Sequence, residues 1–223
     1  ALMSGAESGI NYYFESHNRN KKGLAIDATK PKGRDIIYKL VQKADVFLTN
    51  FIPASMEKLG LDYDSLAKQN PKLIYAMGSS YGVRGPGRNR ESMDIAGQAR
   101  SGIMTLIGAE PGQAPRSAGL GTADQVGAFM LAYGVMTALF ARERTGQGQM
   151  VSASLLGTMI AAQGHWMQAH LVTGQQPSPR PRADARNPFW NMYQTKDNRW
   201  LVLSMTRSDQ HWHNLCQALE MPE

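Results

Sequence analysis

A carboxylate held at the start of an apolar helix can act as a nucleophile, and Asp124 in TADQVGAFMLAYGVMTALFA (residues 122–141) has that placement. Thr122 and Gln125 have the spacing of a capping box, in which a hydroxyl and a side-chain amide satisfy free N–H groups of a first turn. Beyond them Phe129, Met130, Tyr133, Met136, Thr137 and Phe140 recur at helical steps, with Gly127, Ala128, Ala132 and Gly134 in between. That pattern predicts a helix buried nearly all round. In its first turn Asp124 meets unpaired N–H groups and the positive end of the helix dipole, which favour an ionised carboxylate. The same placement also stabilises a helix with no chemistry at all, so on these residues alone both readings stand.

Other reactive side chains form no constellation. His165 and His170 are five apart and His211 and His213 two apart, and neither spacing suits ligands on one helix face, so no metal site is expected. No G-x-S-x-G elbow occurs, and Cys216 stands beside no evident base. The loop GSSYGVRGPGRNR (residues 78–90) is rich in glycine and arginine but lacks the G-x-G-x-x-G and Walker spacings. The 13 methionines read as core filler within buried helices.

Strands alternating with amphipathic helices are needed to position these groups. Gly23–Ile26, Val46–Thr49, Leu73–Met77 and Met150–Ala153 read as short strands. Between them, Pro31 opens a helix whose apolar face is Ile36, Ile37, Leu40, Val41 and Ala44. Pro53 opens another that Gly60 closes, and Asp64 caps a third. Asp94–Ile107 is a helix broken near Gly102, and Leu155–Leu171 is a further helix. This order predicts an α/β fold with a Rossmann-like parallel sheet and flanking helices, with the 78–90 loop at a strand's carboxyl end where such sheets bind ligands. Residues 1–174 form the large domain and the Pro- and Arg-rich 175–187 a linker. The hairpin pattern and helix in 188–223 begin a smaller α+β domain.

Lysine and arginine total 24 against 18 acidic residues, an excess of six, with the basic residues scattered and not interleaved with aromatics. A phosphate-bearing small molecule therefore suits the chain better than a nucleic acid. A single cysteine fits a reducing, cytoplasmic compartment. The N-terminal stretch lacks signal-peptide order, and no run reads as apolar for long enough to span a bilayer.

Several stretches together resemble one family. NRNKKGLAIDATKPKGR (residues 18–34), KADVFLTNFIPASMEKLGLDYDSL (43–66), NPKLIYAMGSSYGVRGPGR, the central TADQVG and ERTGQGQ resemble the class III CoA-transferases, which include formyl-CoA transferase and carnitine CoA-transferase. NPFWNMYQTKDNRWLVLSM resembles the beginning of that family's small domain. Members are longer, so the sequence reads as an internal portion of an interlocked-dimer fold. The resemblance places Asp124 on the family's catalytic aspartate and Ile26, Thr29, Asn50, Phe51 and Lys58 on positions lining the coenzyme A site. It implies transfer of CoA between an acyl-CoA and a carboxylic acid through an aspartyl anhydride and an aspartyl-CoA thioester. It further implies an interlocked homodimer, with first-turn N–H groups stabilising the developing oxyanions.

Two departures bear on this. Lys58 stands where an arginine is common and would meet a phosphate as a point charge. Met93 stands where the related α-methylacyl-CoA racemases carry a histidine, and a thioether moves no proton. The alternatives are a racemase or epimerase and a CoA-binding fragment without turnover.

Overall fold

The fold is taken from a computed structural model that describes residues 9–107, 113–119, 121–178 and 181–221. The start of the N-terminal stretch, residues 108–112 and Leu120 before the central helix, residues 179–180 of the linker and the last two residues lie outside the described residues.

The chain begins with α1 (Tyr12–His17), then α2 (Pro31–Val41), β1 (Val46–Thr49), α3 (Pro53–Leu59), α4 (Tyr63–Gln69) and β2 (Ile74–Ser79). There follow α5 (Asp94–Ser101), α6 (Ile103–Leu106), α7 (Thr122–Thr145), β3 (Gln149–Ser154), α8 (Leu155–Ala162) and α9 (Gly164–Thr173). The last elements are β4 (Trp190–Gln194), β5 (Trp200–Ser204) and α10 (Trp212–Ala218). β1, β2 and β3 form a parallel sheet in that order, with Val46 paired to Ile74 and Ile74 to Gln149. Parallel strands require helical crossovers, and these supply the flanking layers. The central strand reads Ile-Tyr-Ala-Met and is buried on both faces, as a covered parallel strand must be. Val41, Met56, Leu61, Leu66, Leu73, Tyr75 and Met77 form the core on the α2–α4 side. β4 and β5 pair antiparallel, as the hairpin pattern predicts.

Local signals place most boundaries. Pro31 and Pro53 open α2 and α3 at positions where a missing N–H costs nothing. Gly60 ends α3 at φ +67°, a left-handed conformation that favours glycine.

Several expectations need correction. Gly23–Ile26 is not a strand: Leu24 is exposed and no neighbouring strand offers it a ladder among the described residues. Asp62, not Asp64, caps α4, accepting from the Ser65 N–H at 3.1 Å and the Ser65 hydroxyl at 2.7 Å. A cap must stand in extended conformation just before the helix, whereas Asp64 is already inside the first turn. The helix expected over 155–171 divides at Gln163, whose buried amide donates to the Met159 and Ser101 carbonyls. α1 has no strong periodicity and owes its start to Asn11, whose side chain accepts from the Phe14 N–H.

The larger correction concerns α7. Ala123, Gly127, Leu131 and Ala138 form its buried stripe, which packs on β2, β3, α5 and α8. Its other faces are open: Phe129 is 73% and Tyr133 71% exposed, with Met136 and Phe140 alongside. Met93, Met130 and Met192 are exposed too, so only some methionines, such as Met56, Met77 and Met159, fill core. At 24 residues, α7 is also long and apolar enough, by length and composition, to cross a membrane, contrary to the sequence reading. The packing of its stripe against the parallel sheet makes it instead the central helix of the α/β layer.

Candidate active site

The first turn of α7 is built by another helix. Asp94 begins α5 and is only 9% exposed. Its Oδ1 accepts from the backbone N–H groups of Ala123 (2.6 Å) and Asp124 (3.1 Å), and its Oδ2 from that of Gly121 (3.2 Å). Gln98, one turn on and fully buried, donates from Nε2 to Asp94 Oδ2 at 2.7 Å and to the Gly119 carbonyl at 2.9 Å. Its Oε1 accepts from the Ala118 N–H and the Ser117 hydroxyl. A buried carboxylate needs several donors to remain satisfied, and the start of α7 supplies them. Gly97 permits this approach: a Cβ there would stand 2.8 Å from the Leu155 Cβ and 3.4 Å from the Ala123 Cβ.

The expected capping box does not form. Gly121 is the residue before the helix, and the Thr122 hydroxyl turns back to donate to the Ala118 and Gly119 carbonyls. Gln125 turns outward to His17 of α1, with their Nε2 atoms 3.0 Å apart. Asp94 performs the capping because a fixed, buried carboxylate is a stronger acceptor than a hydroxyl. The expectation that these N–H groups receive developing oxyanions falls for the same reason, since those of Ala123 and Asp124 already donate to Asp94.

Asp124 itself is exposed, in the first turn of α7. Its carboxyl lies above the ordinary aspartate range, first because partial burial disfavours its charge and second because the Asp94 carboxylate is near. The dipole argument alone gives the opposite sign. A carboxylate raised in this way is more basic than a free aspartate yet remains accessible to a thioester.

Of the residues placed by resemblance on the coenzyme A site, Asn50 and Phe51 stand at the carboxyl end of β1, Ile26 and Thr29 precede α2, and Lys58 is in the last turn of α3. Asn50 and Phe51 follow β1 and are exposed; the Phe51 N–H donates to Thr49 Oγ1. A Cβ on Gly78, at the end of β2, would touch both Asn50 Cβ (3.9 Å) and Leu131 Cδ2 (3.8 Å). Asn50 thus neighbours α7 two turns beyond Asp124, about 10 Å along the helix axis. Lys58 is exposed on α3 and has no ion pair among the described residues. Ile26 and Thr29 belong to the turn before α2, where Thr29 donates through N–H and hydroxyl to Asp27 Oδ1. The Gly78–Arg88 loop folds onto α3: Arg88 pairs with Glu57 at 3.1 Å, and Asn89 Oδ1 accepts from the Ala54 N–H. The loop thereby stands against α3, with one of its arginines already engaged. Exposed cationic and aromatic groups at the strand ends suit a phosphorylated nucleotide with a planar base.

Asp94, Gln98 and His17 escaped the sequence reading. An Asp-x-x-x-Gln spacing on one helix face was the available signal for the first two. Among the described residues no three His, Cys, Asp or Glu side chains converge as metal ligands.

The fold is shared with known proteins. A CAIB/BAIF family protein from Brucella suis superposes with a TM-score of 0.83 at 29% identity, over 94% of this chain and 55% of that one. Acetyl-CoA:oxalate CoA-transferase of Acetobacter aceti is 33% identical over 214 residues, covering 95% of this chain and 54% of the relative. Succinyl-CoA:glutarate CoA-transferase of Mus musculus is 33% identical over 213 residues, covering 95% of this chain and 48% of the relative. The chain spans about half the length of the curated relatives it matches. The model of CoA-transferase family III matches residues 2–223, nearly the whole sequence, and the chain therefore belongs to that family.

Proposed function

We propose that this chain carries the nucleophile and much of the coenzyme A site of a CoA-transferase that exchanges CoA between an acyl-CoA and a free carboxylic acid. The observation that carries the reading is Asp124: an accessible carboxylate in a first turn whose backbone is locked by Asp94. Asp124 attacks the thioester carbonyl, the C–S bond breaks, and an acyl-aspartyl anhydride and CoA thiolate result. The thiolate attacks the aspartyl carbonyl, releasing the first acid and leaving an aspartyl-CoA thioester. The incoming carboxylate attacks that thioester and the steps run in reverse, with no net proton transfer. Division into such steps is what covalent catalysis contributes. Ile26, Thr29, Asn50, Phe51 and Lys58 hold the CoA, with Lys58 meeting a phosphate as a point charge.

The acid pair belongs to the class of small organic acids named in the relatives, oxalate and glutarate among them. The uncovered Phe129–Phe140 face of α7 suits burial against a second copy in a homodimer. Residues 1–174, 175–187 and 188–223 serve as large domain, linker and beginning of the small domain. The lone cysteine fits a cytoplasmic enzyme. A racemase would need an acid or base at Met93, and a thioether supplies neither.

The test is capture. Acyl-CoA plus hydroxylamine should yield a hydroxamate at Asp124, read by peptide mass spectrometry, and Asp124→Asn should abolish both hydroxamate and transfer. Transfer that persists in Asp124→Asn refutes the nucleophile, and CoA binding with no transfer across a panel of acyl-CoA donors leaves only a binding module.

A further inference from the structure

Gln98 is fully buried in α5, and every hydrogen-bonding position of its side-chain amide is filled. The Ala118 N–H can only donate and meets Oε1 at 2.9 Å, while the Gly119 carbonyl can only accept and meets Nε2 at 2.9 Å. Backbone atoms thus settle which way the amide faces. Its second N–H then goes to Asp94 Oδ2 at 2.7 Å, and the second lone pair of Oε1 takes the Ser117 hydroxyl at 3.1 Å. The carboxylate gripped in this way accepts from the N–H groups of Gly121, Ala123 and Asp124. One amide therefore ties the segment entering α7, and the clamp on its first turn, into a single closed network. A buried network of this kind holds one geometry only while every member is satisfied.

We propose that Gln98 is a positioning residue for transfer, holding the Asp94 carboxylate in the one orientation that presents Asp124 to a thioester. The inference rests on the nucleophilic role proposed for Asp124. Gln98 has no exposed surface with which to meet a substrate, so it acts through Asp94 on the peptide that carries the nucleophile. Misplacing a reacting group by about 1 Å costs on the order of a hundredfold in rate. The residues proposed to hold coenzyme A stand after β1, before α2 and on α3, so loss of the amide reaches kcat and not KM. Few charges surround the amide. α6 and α8, packed on α5, carry no titratable residue, and α7 brings Asp124 alone before Tyr133. α5 itself adds Asp94 and the exposed Arg100, and the exposed Arg116 precedes Ser117.

The experiment compares steady-state transfer in variants of the full chain, with the folded fraction of each read by near-ultraviolet circular dichroism. Gln98→Met keeps the length of the side chain but none of its hydrogen bonds, and kcat should fall about ten- to hundredfold with KM for the acyl-CoA unchanged. In an Asp94→Asn background the same change should cost nothing further, because Gln98 acts through Asp94. Gln98→Glu gives the sharper reading. An oxygen then faces Asp94 Oδ2 and the Gly119 carbonyl, both acceptors, and must carry a proton to bond either. Burial and the neighbouring carboxylate push the introduced carboxyl up. The rate of this variant relative to the parent should therefore be near one at about pH 6 and fall as pH rises to about 8. Exchange of the Ala123 and Asp124 amide hydrogens reads the same tether without turnover and should quicken wherever kcat falls. A rise in KM in place of a fall in kcat, additive losses in the double variant, or a Gln98→Glu profile parallel to the parent's overturns the positioning role. If Gln98→Met does not fold, the Gln98→Glu profile decides. A parent that forms no hydroxamate at Asp124 overturns the nucleophile instead, and exchange of the two amides then still reports whether Gln98 holds the turn.

Discussion

The Asp94 carboxylate accepts a hydrogen bond from the Asp124 backbone N–H at 3.1 Å, so one aspartate fixes the peptide that carries the other. The two residues are 30 apart in sequence, so this bond ties α5 to the start of α7. The fixed charge has two consequences of opposite kind: it anchors the turn, and it makes the Asp124 carboxylate more basic.

Asp94→Asn should therefore weaken the fold and release Asp124 toward an ordinary aspartate. An amide NH2 placed where Oδ2 accepts from Gly121 and Gln98 sets donor against donor, at a cost of about 1–3 kcal/mol. Urea denaturation reads the loss of stability. A midpoint unchanged from the parent would show that the cap contributes nothing.

The pH dependence follows from the raised Asp124 carboxyl. The attacking form is ionised, so transfer falls as pH falls, and the acid limb lies above that of a free aspartate. Removing the Asp94 charge moves that limb to lower pH. For stability the sign reverses: Asp124 contributes fully below its unfolded value, and the contribution is lost as pH rises through the folded value. Asp124→Asn should thus raise Tm at neutral pH, by about 2 °C or less because solvent screens an exposed carboxylate. A pH–rate profile of parent and Asp94→Asn, with melting curves of Asp124→Asn, checks both.

Gly97→Val tests the approach of α5. Its side chain begins 2.8 Å from the Leu155 Cβ, so α5 must shift away from α8 and carry Asp94 out of reach of Ala123. Overpacking of this kind costs about 1–3 kcal/mol. The amide proton of Ala123 should lose its hydrogen-exchange protection with it.

Lys58→Ala should raise KM for the acyl-CoA about three- to tenfold with kcat retained, the effect of losing one charge-assisted phosphate contact. Lys58→Arg should lower KM by supplying a fork. Steady-state kinetics at two salt concentrations distinguishes a phosphate contact, whose effect is screened, from a packing change.

Phe129→Asp with Tyr133→Asp should leave the fold intact, since both side chains are largely exposed in the single chain. Sedimentation should show a dimer in the parent and a monomer in the double variant. A parent that sediments as a monomer removes the second copy as the cover of α7.

Signals carried by adjacent residues were legible in the sequence. Pro31, Pro53 and Gly60 fix helix ends through backbone geometry that no distant contact alters, and the continuous apolar run of β2 announces a covered parallel strand. The placement of Asp124 in a first turn was legible too, because the Thr122 and Gln125 spacing marks a helix start just before the apolar periodicity, although the box itself does not form. What tertiary structure alone decided is which groups satisfy that turn. Thr122 and Gln125 have the local pattern of a capping box, yet Asp94, 30 residues away, is buried and held by Gln98, and so displaces them. The burial of α7 was likewise beyond the pattern, since periodicity shows which faces are apolar while only packing shows which of them has a neighbour.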